Sequence, residues 1–134
     1  MGDYLIRRLT NQESQFYPLV GPFLASRQVV KELSIPAWDD PDKIWFVAIR
    51  DGQLCGFVAA LHQSSGVVFC SDYVVPEHRD TGVYSALSTA RMQEYVNAPV
   101  ITATVASAAV DVYARHGFAA VGNRGRFTAM RRER

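Results

Sequence analysis

The chain has 134 residues, 49% of them hydrophobic and 20% charged, a balance that fits one globular domain and excludes a disordered, collagen-like or solenoid chain. A domain of this length buries roughly 65–70% of its unfolded surface, enough for a core without disulfide or metal staples. Its 14 basic and 13 acidic residues give a net charge of +1, which argues against a general polyanion binder but leaves room for a small phosphate-bearing ligand held at one local feature.

No repeat, low-complexity segment or Pro/Gly/Ser linker divides the sequence, so residues 1–134 read as a single domain. The first residues carry no apolar stretch of secretory length, and no window reaches membrane-spanning length. Ile6 stands where an N-myristoylation pattern needs Ser or Thr. Cys55 and Cys70 fall on two hairpin strands about four positions out of register. That offset is about 13 Å, too far for a disulfide. A reduced, cytoplasmic protein with no membrane partner is the expectation.

Residues 4–8 predict a first strand. Thr10 and Glu13 form a capping box that predicts a helix through Phe16, Tyr17, Leu19 and Val20, which Pro18 either kinks or delays. A second short helix is predicted over 25–34, before Pro36. Residues 44–50 and 53–62 are apolar, β-branched and aromatic, and Asp51-Gly52 between them is a strong hairpin signal. The turn at 63–66 then leads into a strand over 67–75, completing a three-strand meander.

After Pro76 the apolar period lengthens to about 3.6, with Val83, Leu87 and Ala90 on one helical face ending near Asn97. Residues 100–105 predict a strand and 106–116 a helix, with Gly117 suited to its left-handed cap. Residues 118–122 and 127–131 predict closing strands around a turn at Asn123–Gly125. The order β-α-α-β-β-β-α-β-α-β-β is that of an α+β sandwich of sheet and helices.

The stretch richest in chemistry runs from Val74 through Pro76, Arg79, Asp80, Thr81 and Gly82 to Tyr84. A strand ends there, a turn follows, and a helix begins near Thr81 or Gly82. The first N–H groups of such a helix lack intrahelical partners and carry the positive end of its dipole. A diphosphate suits them, Gly82 allows close approach, and Arg79 offers a charge-assisted contact. Read alone, the same stretch is also an ordinary strand-to-helix turn.

The segment resembles the acyl-CoA-binding motif of the GNAT superfamily of N-acetyltransferases, Arg/Gln-x-x-Gly-x-Gly/Ala after a strand ending in Val-x-Pro, here Arg79-x-x-Gly82-x-Tyr84. About thirty residues on, the helix carrying Tyr113 followed by Gly117-Phe118 resembles the family's second motif. The resemblance implies a GNAT-like, mostly antiparallel twisted sheet of about seven strands flanked by helices. It also implies acetyl-CoA as co-substrate and a small-molecule or peptide amine as acceptor; no metal is expected, and a second copy of the chain, as a homodimer, is the one further partner considered. It further implies that backbone groups of Tyr73, Val74 and Val75 pair with the pantetheine arm. The amides of Arg79, Asp80, Thr81, Gly82, Val83 and Tyr84, with Ser85 next, would cradle the pyrophosphate. Tyr113 would protonate the leaving thiolate, and a strand amide near Val74 would polarise the carbonyl. Two positions depart from the pattern. Tyr84 replaces a small residue, and its phenol would crowd the diphosphate or stack beside it; Ala106 stands where many members have Asn.

Asp72 is the first candidate for the general base, directly or through water, the alternative being an outward-facing strand residue. Glu77 and His78 read as solvated turn residues, and His116 as a cation favoured by a helix C-terminus. Trp38, Asp39, Asp40 and Asp42 could attract a cationic amine, although Asp and Pro also suit an exposed loop. Arg124, Arg126, Arg131, Arg132 and Arg134 form a basic tail, read as a charged guard on an edge strand. A catalytically degenerate module binding a protein or nucleic acid through that edge is the rival reading. The histidines and cysteines show no metal-ligand spacing.

Overall fold

A computed structural model describes residues 4–33 and 41–134. In chain order these form β1 (Leu5–Leu9), α1 (Phe16–Leu24), α2 (Arg27–Leu33), β2 (Lys43–Arg50), β3 (Gln53–Gln63), β4 (Gly66–Val74), α3 (Val83–Tyr95), β5 (Val100–Ala106), α4 (Val110–Arg115), β6 (Ala119–Arg124) and β7 (Phe127–Glu133). The seven strands among the described residues make one sheet in the order β1-β2-β3-β4-β5-β7-β6. Neighbours run antiparallel except β4 and β5, which run parallel. This is the expected α+β, mostly antiparallel architecture.

Helices cover both faces, which explains why β2 and β3 are apolar throughout rather than alternating. Trp45 and Val47 pack with Phe16 and Val20 of α1 and Val29 of α2, whereas Phe46 and Ala48 pack with Val83 and Leu87 of α3 and Tyr113 of α4. The Asp51-Gly52 turn has φ of 52° and 77°, the pair of positive values a type I′ hairpin requires.

Three boundaries differ from the sequence reading. Thr10 and Glu13 do form a capping box, with Glu13 accepting from the Thr10 N–H at 3.0 Å and Thr10 Oγ1 from the Gln12 N–H at 3.2 Å. It closes an isolated turn, and α1 begins only at Phe16, so Pro18 sits in the first turn where no N–H is needed. Second, β5 continues to Ala106 to pair with Phe127. The predicted helix there is therefore reduced to a 3-10 turn at Ser107–Ala109 and six residues of α4. Third, the last hairpin turns at residues 125 and 126, because Arg124 still pairs with Phe127.

Two irregularities of β4 create the site. Its parallel pairing with β5 extends only over Val67–Phe69 against Ile101–Ala103, and beyond it the strands part. A bulge also interrupts β4, where the register against β3 shifts between Phe57 and Ala59 and Ser71 adopts φ 59°. The extra residue resets the alternation of side chains. Phe69 joins the α3/α4 core and Cys70 packs on the α1/α2 core. Asp72 then reaches α3 and α4, while Tyr73 returns to the α1/α2 core. Without the bulge Asp72 would share the face of Cys70.

Candidate active site

The start of α3 is open. Gly82 is its N-cap residue, left-handed at φ 90°, and no side chain caps the helix. A Cβ built on Gly82 would meet nothing within 4 Å. The turn before it is held from behind, since Thr81 Oγ1 donates to the His78 carbonyl at 2.5 Å and accepts from the Tyr4 hydroxyl at 3.2 Å. Val83 is buried and anchors the helix, while Asp80, Thr81 and Ser85 are exposed. Tyr84 neither crowds nor stacks at this end. Its hydroxyl donates to Asp72 Oδ2 at 2.5 Å, which carries the ring into the cleft.

That cleft, of about 440 Å³, opens where β4 and β5 separate. Tyr84 and Tyr113 line it from the α3/α4 side, Glu32, Leu33 and Lys43 from the α1/α2 side, and Ala106 at the end of β5 lines it as well. The Val74 carbonyl accepts from Arg79 Nε at 2.9 Å, and the Val75 N–H is used within the sheet, on the Cys55 carbonyl at 2.8 Å. A Cβ at Gly56, on β3 beneath this stretch, would lie 2.8 Å from the Tyr73 carbonyl oxygen. Only glycine lets the two backbones approach so closely.

The two expected catalytic residues meet in one network. Arg91 of α3 is 1% exposed and clamps Asp72 with two bonds, Nη1 to Oδ1 at 2.7 Å and Nη2 to Oδ2 at 3.0 Å. It also donates to the Ala59 carbonyl and to the Tyr113 hydroxyl, both at 2.9 Å, and stacks 4.2 Å over the Phe69 ring. The Tyr113 hydroxyl in turn donates to Asp72 Oδ2 at 2.7 Å. Burial works against the Arg91 charge, but Asp72 and the neighbouring phenols outweigh it and hold the guanidinium pKa up. Burial and the Asp72 carboxylate raise the phenol pKa of Tyr84. Burial raises that of Tyr113, which Arg91 opposes and Asp72 reinforces. Four donated bonds thus converge on the carboxylate expected to act as base, three of them on Oδ2, leaving one lone pair on Oδ1.

Arg91 belongs to no motif in the sequence. Its signal is present: it follows Leu87 by four residues on the stripe of Val83, Leu87 and Tyr95, all buried, and an arginine on an inward stripe calls for an anionic partner.

A second cluster sits at the mouth. Glu32 accepts from the Tyr73 hydroxyl at 3.1 Å and from Arg79 Nη2 at 3.0 Å. Arg79, then desolvation against it, then Tyr73 set the balance, and the Glu32 carboxyl is held below its ordinary pKa. Burial, followed by Glu32, raises the Tyr73 phenol.

The remaining candidates stand apart. Glu77 is exposed, and His78 packs edge-on against Tyr4. Burial, and then Arg115, lower the pKa of His116, which works against the cationic role expected of it. Trp38, Asp39 and Asp40 lie outside the described residues, and Asp42 is exposed. Arg131 pairs with Glu133 at 2.6 Å and Arg132 donates to the Val96 carbonyl at 3.3 Å. Two of the tail arginines are thus engaged locally, and nothing here supports the rival reading of a binding edge. No group of three or more His, Cys, Asp and Glu that could hold a metal occurs among the described residues. No helix there is long and apolar enough to cross a membrane.

A sequence-family model described as the acetyltransferase (GNAT) domain matches residues 21–131. The chain belongs to the GNAT family. Solved structures agree on the fold of this GNAT domain. Escherichia coli ElaA superposes with a TM-score of 0.75 at 19% identity, over 97% of this chain and 99% of that one. An acyl-CoA N-acyltransferase from Pseudomonas aeruginosa gives 0.77 at 18% identity, over 96% and 99%. A GNAT family acetyltransferase from Elizabethkingia anophelis, solved with acetyl-CoA bound, gives 0.67 at 10% identity over all of both chains. No curated protein matches this GNAT sequence significantly.

Proposed function

We propose that the protein moves an acetyl group from acetyl-CoA to a primary amine of a small molecule or peptide. The observation that carries this reading is the Tyr113 hydroxyl, held between Arg91 and Asp72 at 2.9 and 2.7 Å on the wall of a cleft flanked by the open start of α3. Family membership and the acetyl-CoA-bound neighbour support the choice of carrier. The residues fit it, since Gly82 has open space above it and Tyr84 is turned away. The free thiols of Cys55 and Cys70 suit a reducing, cytoplasmic setting.

In this reading the N–H groups of Val83, Tyr84 and Ser85 receive the diphosphate, Asp80, Thr81 and Gly82 shape the turn that admits it, and Arg79 adds a cation. The backbone of Tyr73, Val74 and Val75 lies beside the pantetheine arm. The amine attacks as a neutral nucleophile. As the C–N bond forms and the C–S bond breaks, Tyr113 gives its proton to the departing thiolate and Arg91 steadies the phenolate left behind. Asp72, with most of its lone pairs already engaged, holds the Tyr113 oxygen in place through the bond it accepts, and the phenol turns its proton from that bond to the departing sulfur. The amine sheds its proton to water, and water reprotonates Tyr113.

Thermal unfolding with acetyl-CoA tests the reading. At 100 times its dissociation constant the ligand stabilises by about 2.7 kcal/mol, and thiol release is then measured over a panel of primary amines. No rise in Tm at millimolar acetyl-CoA overturns it.

Tyr113→Phe is expected to lower turnover about ten-fold with unchanged acetyl-CoA affinity. This is below the usual general-acid effect of about 10²–10⁴, since a thiolate leaves readily. The raised phenol pKa keeps Tyr113 protonated, so the rate of the unaltered enzyme climbs with the fraction of neutral amine and shows no alkaline fall below about pH 10. Equal turnover in the Phe variant removes Tyr113 from the mechanism.

A further inference from the structure

Arg79 bonds to both sides of the cleft at once. Its Nε donates to the Val74 carbonyl at 2.9 Å, on the strand that runs beside the carrier, and its Nη2 donates to Glu32 at 3.0 Å, on the α1/α2 side. The guanidinium also sits 5.6 Å from the Tyr73 ring centroid, and the Tyr73 hydroxyl donates to the other Glu32 oxygen. One side chain therefore covers a strand carbonyl and neutralises a carboxylate in the same position. With the Arg79 and Glu32 side chains 43% and 27% exposed, the ion pair is of the weak, solvent-screened kind that a stronger anion displaces. A diphosphate at the start of α3 is such an anion, three residues downstream of Arg79 at Gly82, and it draws the guanidinium by charge-assisted bonds.

We propose that Glu32 and the carrier's diphosphate compete for Arg79, so that binding of the carrier uncovers the Glu32 carboxylate and makes it the group that pairs with a cationic acceptor. The inference rests on the acetyl-CoA reading above. Glu32 is ionised at neutral pH, with its pKa held down first by Arg79, and it lines the cleft on the side away from Tyr84 and Tyr113. While Arg79 covers it, an ammonium gains little there. Once Arg79 turns to the diphosphate, Glu32 keeps only its bond from Tyr73 among those two and offers its charge to the acceptor. The acceptor class that fits is a cation, and the order that follows is carrier first, amine second.

Calorimetry with coenzyme A on the full chain separates the possible outcomes. Glu32→Gln, which removes the competitor, is expected to tighten binding about two- to five-fold, and Arg79→Ala to weaken it. In the Arg79→Ala background Glu32→Gln is expected to have no effect, since the two residues act through one contact. Unaltered protein that gives no heat with coenzyme A overturns the acetyl-CoA reading and this inference together. Unaltered protein that binds, with Glu32→Gln equal or weaker, overturns the inference alone. An NMR titration with n-butylammonium then probes the acceptor side. Saturable binding is expected with coenzyme A present, absent without it, and lost in Glu32→Gln. Binding that is the same in all three samples, or detected in none, overturns the acceptor role of Glu32.

Discussion

Arg91→Met is expected to lower stability by about 3–5 kcal/mol, read as a fall in Tm of roughly 10–20 °C, because it takes the counter-charge and two bonds from Asp72, whose side chain is only 20% exposed. Domains of this kind are stable by only about 5–15 kcal/mol, so the loss is a large share of the whole. The methionine can fill much of the space over Phe69, and packing alone does not account for such an effect. The discriminating measurement is the double variant Asp72→Asn with Arg91→Met, unfolded in urea. Removing both charges is expected to recover most of the loss. A single variant that costs below about 1 kcal/mol would mean that solvent already screens the pair.

Gly82→Asp is expected to weaken acetyl-CoA at least hundred-fold in calorimetry while the chain stays folded. Two like charges about 4 Å apart repel by about 4 kcal/mol at the effective dielectric of a protein surface, and a factor of ten in affinity is about 1.4 kcal/mol. The fold tolerates the side chain, since nothing lies within 4 Å of a Cβ at this position and Asp is among the residues that accept a left-handed φ. Gly82→Asn carries the same backbone strain and nearly the same bulk without the charge, and is expected to lose less than about ten-fold. Equal losses in the two variants would assign the effect to backbone strain and leave no diphosphate beside Gly82.

Where local chemistry dictates structure, the sequence was sufficient. Asp51-Gly52 fixes its hairpin, Gly117 at φ 90° closes α4, and Gly82 marks the start of α3 within a residue. The site was less legible because it depends on what distant residues do to one strand. Nothing in Cys70-Ser71-Asp72 announces the bulge, yet the bulge decides that Asp72 meets Arg91 and Tyr113 rather than the other core. Tyr84 could be read only by its bulk at a position that usually carries a small residue. Its direction follows from Asp72, twelve residues earlier in the chain. Glu32 carries no signal in the sequence, since its partners Tyr73 and Arg79 lie 41 and 47 residues away and no period links them. The shortened α4 has the same origin, a helix signal overridden by pairing of Ala106 with Phe127.

The brevity of the β4–β5 contact has a mechanical consequence. Three residue pairs join the four-strand plate β1–β4 to the three-strand plate beyond it, so the main-chain ladder makes only a narrow seam there. Beyond those pairs the plates are joined through side chains, in the core that Phe69 of β4 shares with Ala103 and Val105 of β5, with Phe118 and with Met130 of β7, so packing rather than main-chain bonding sets how firmly the two halves hold together.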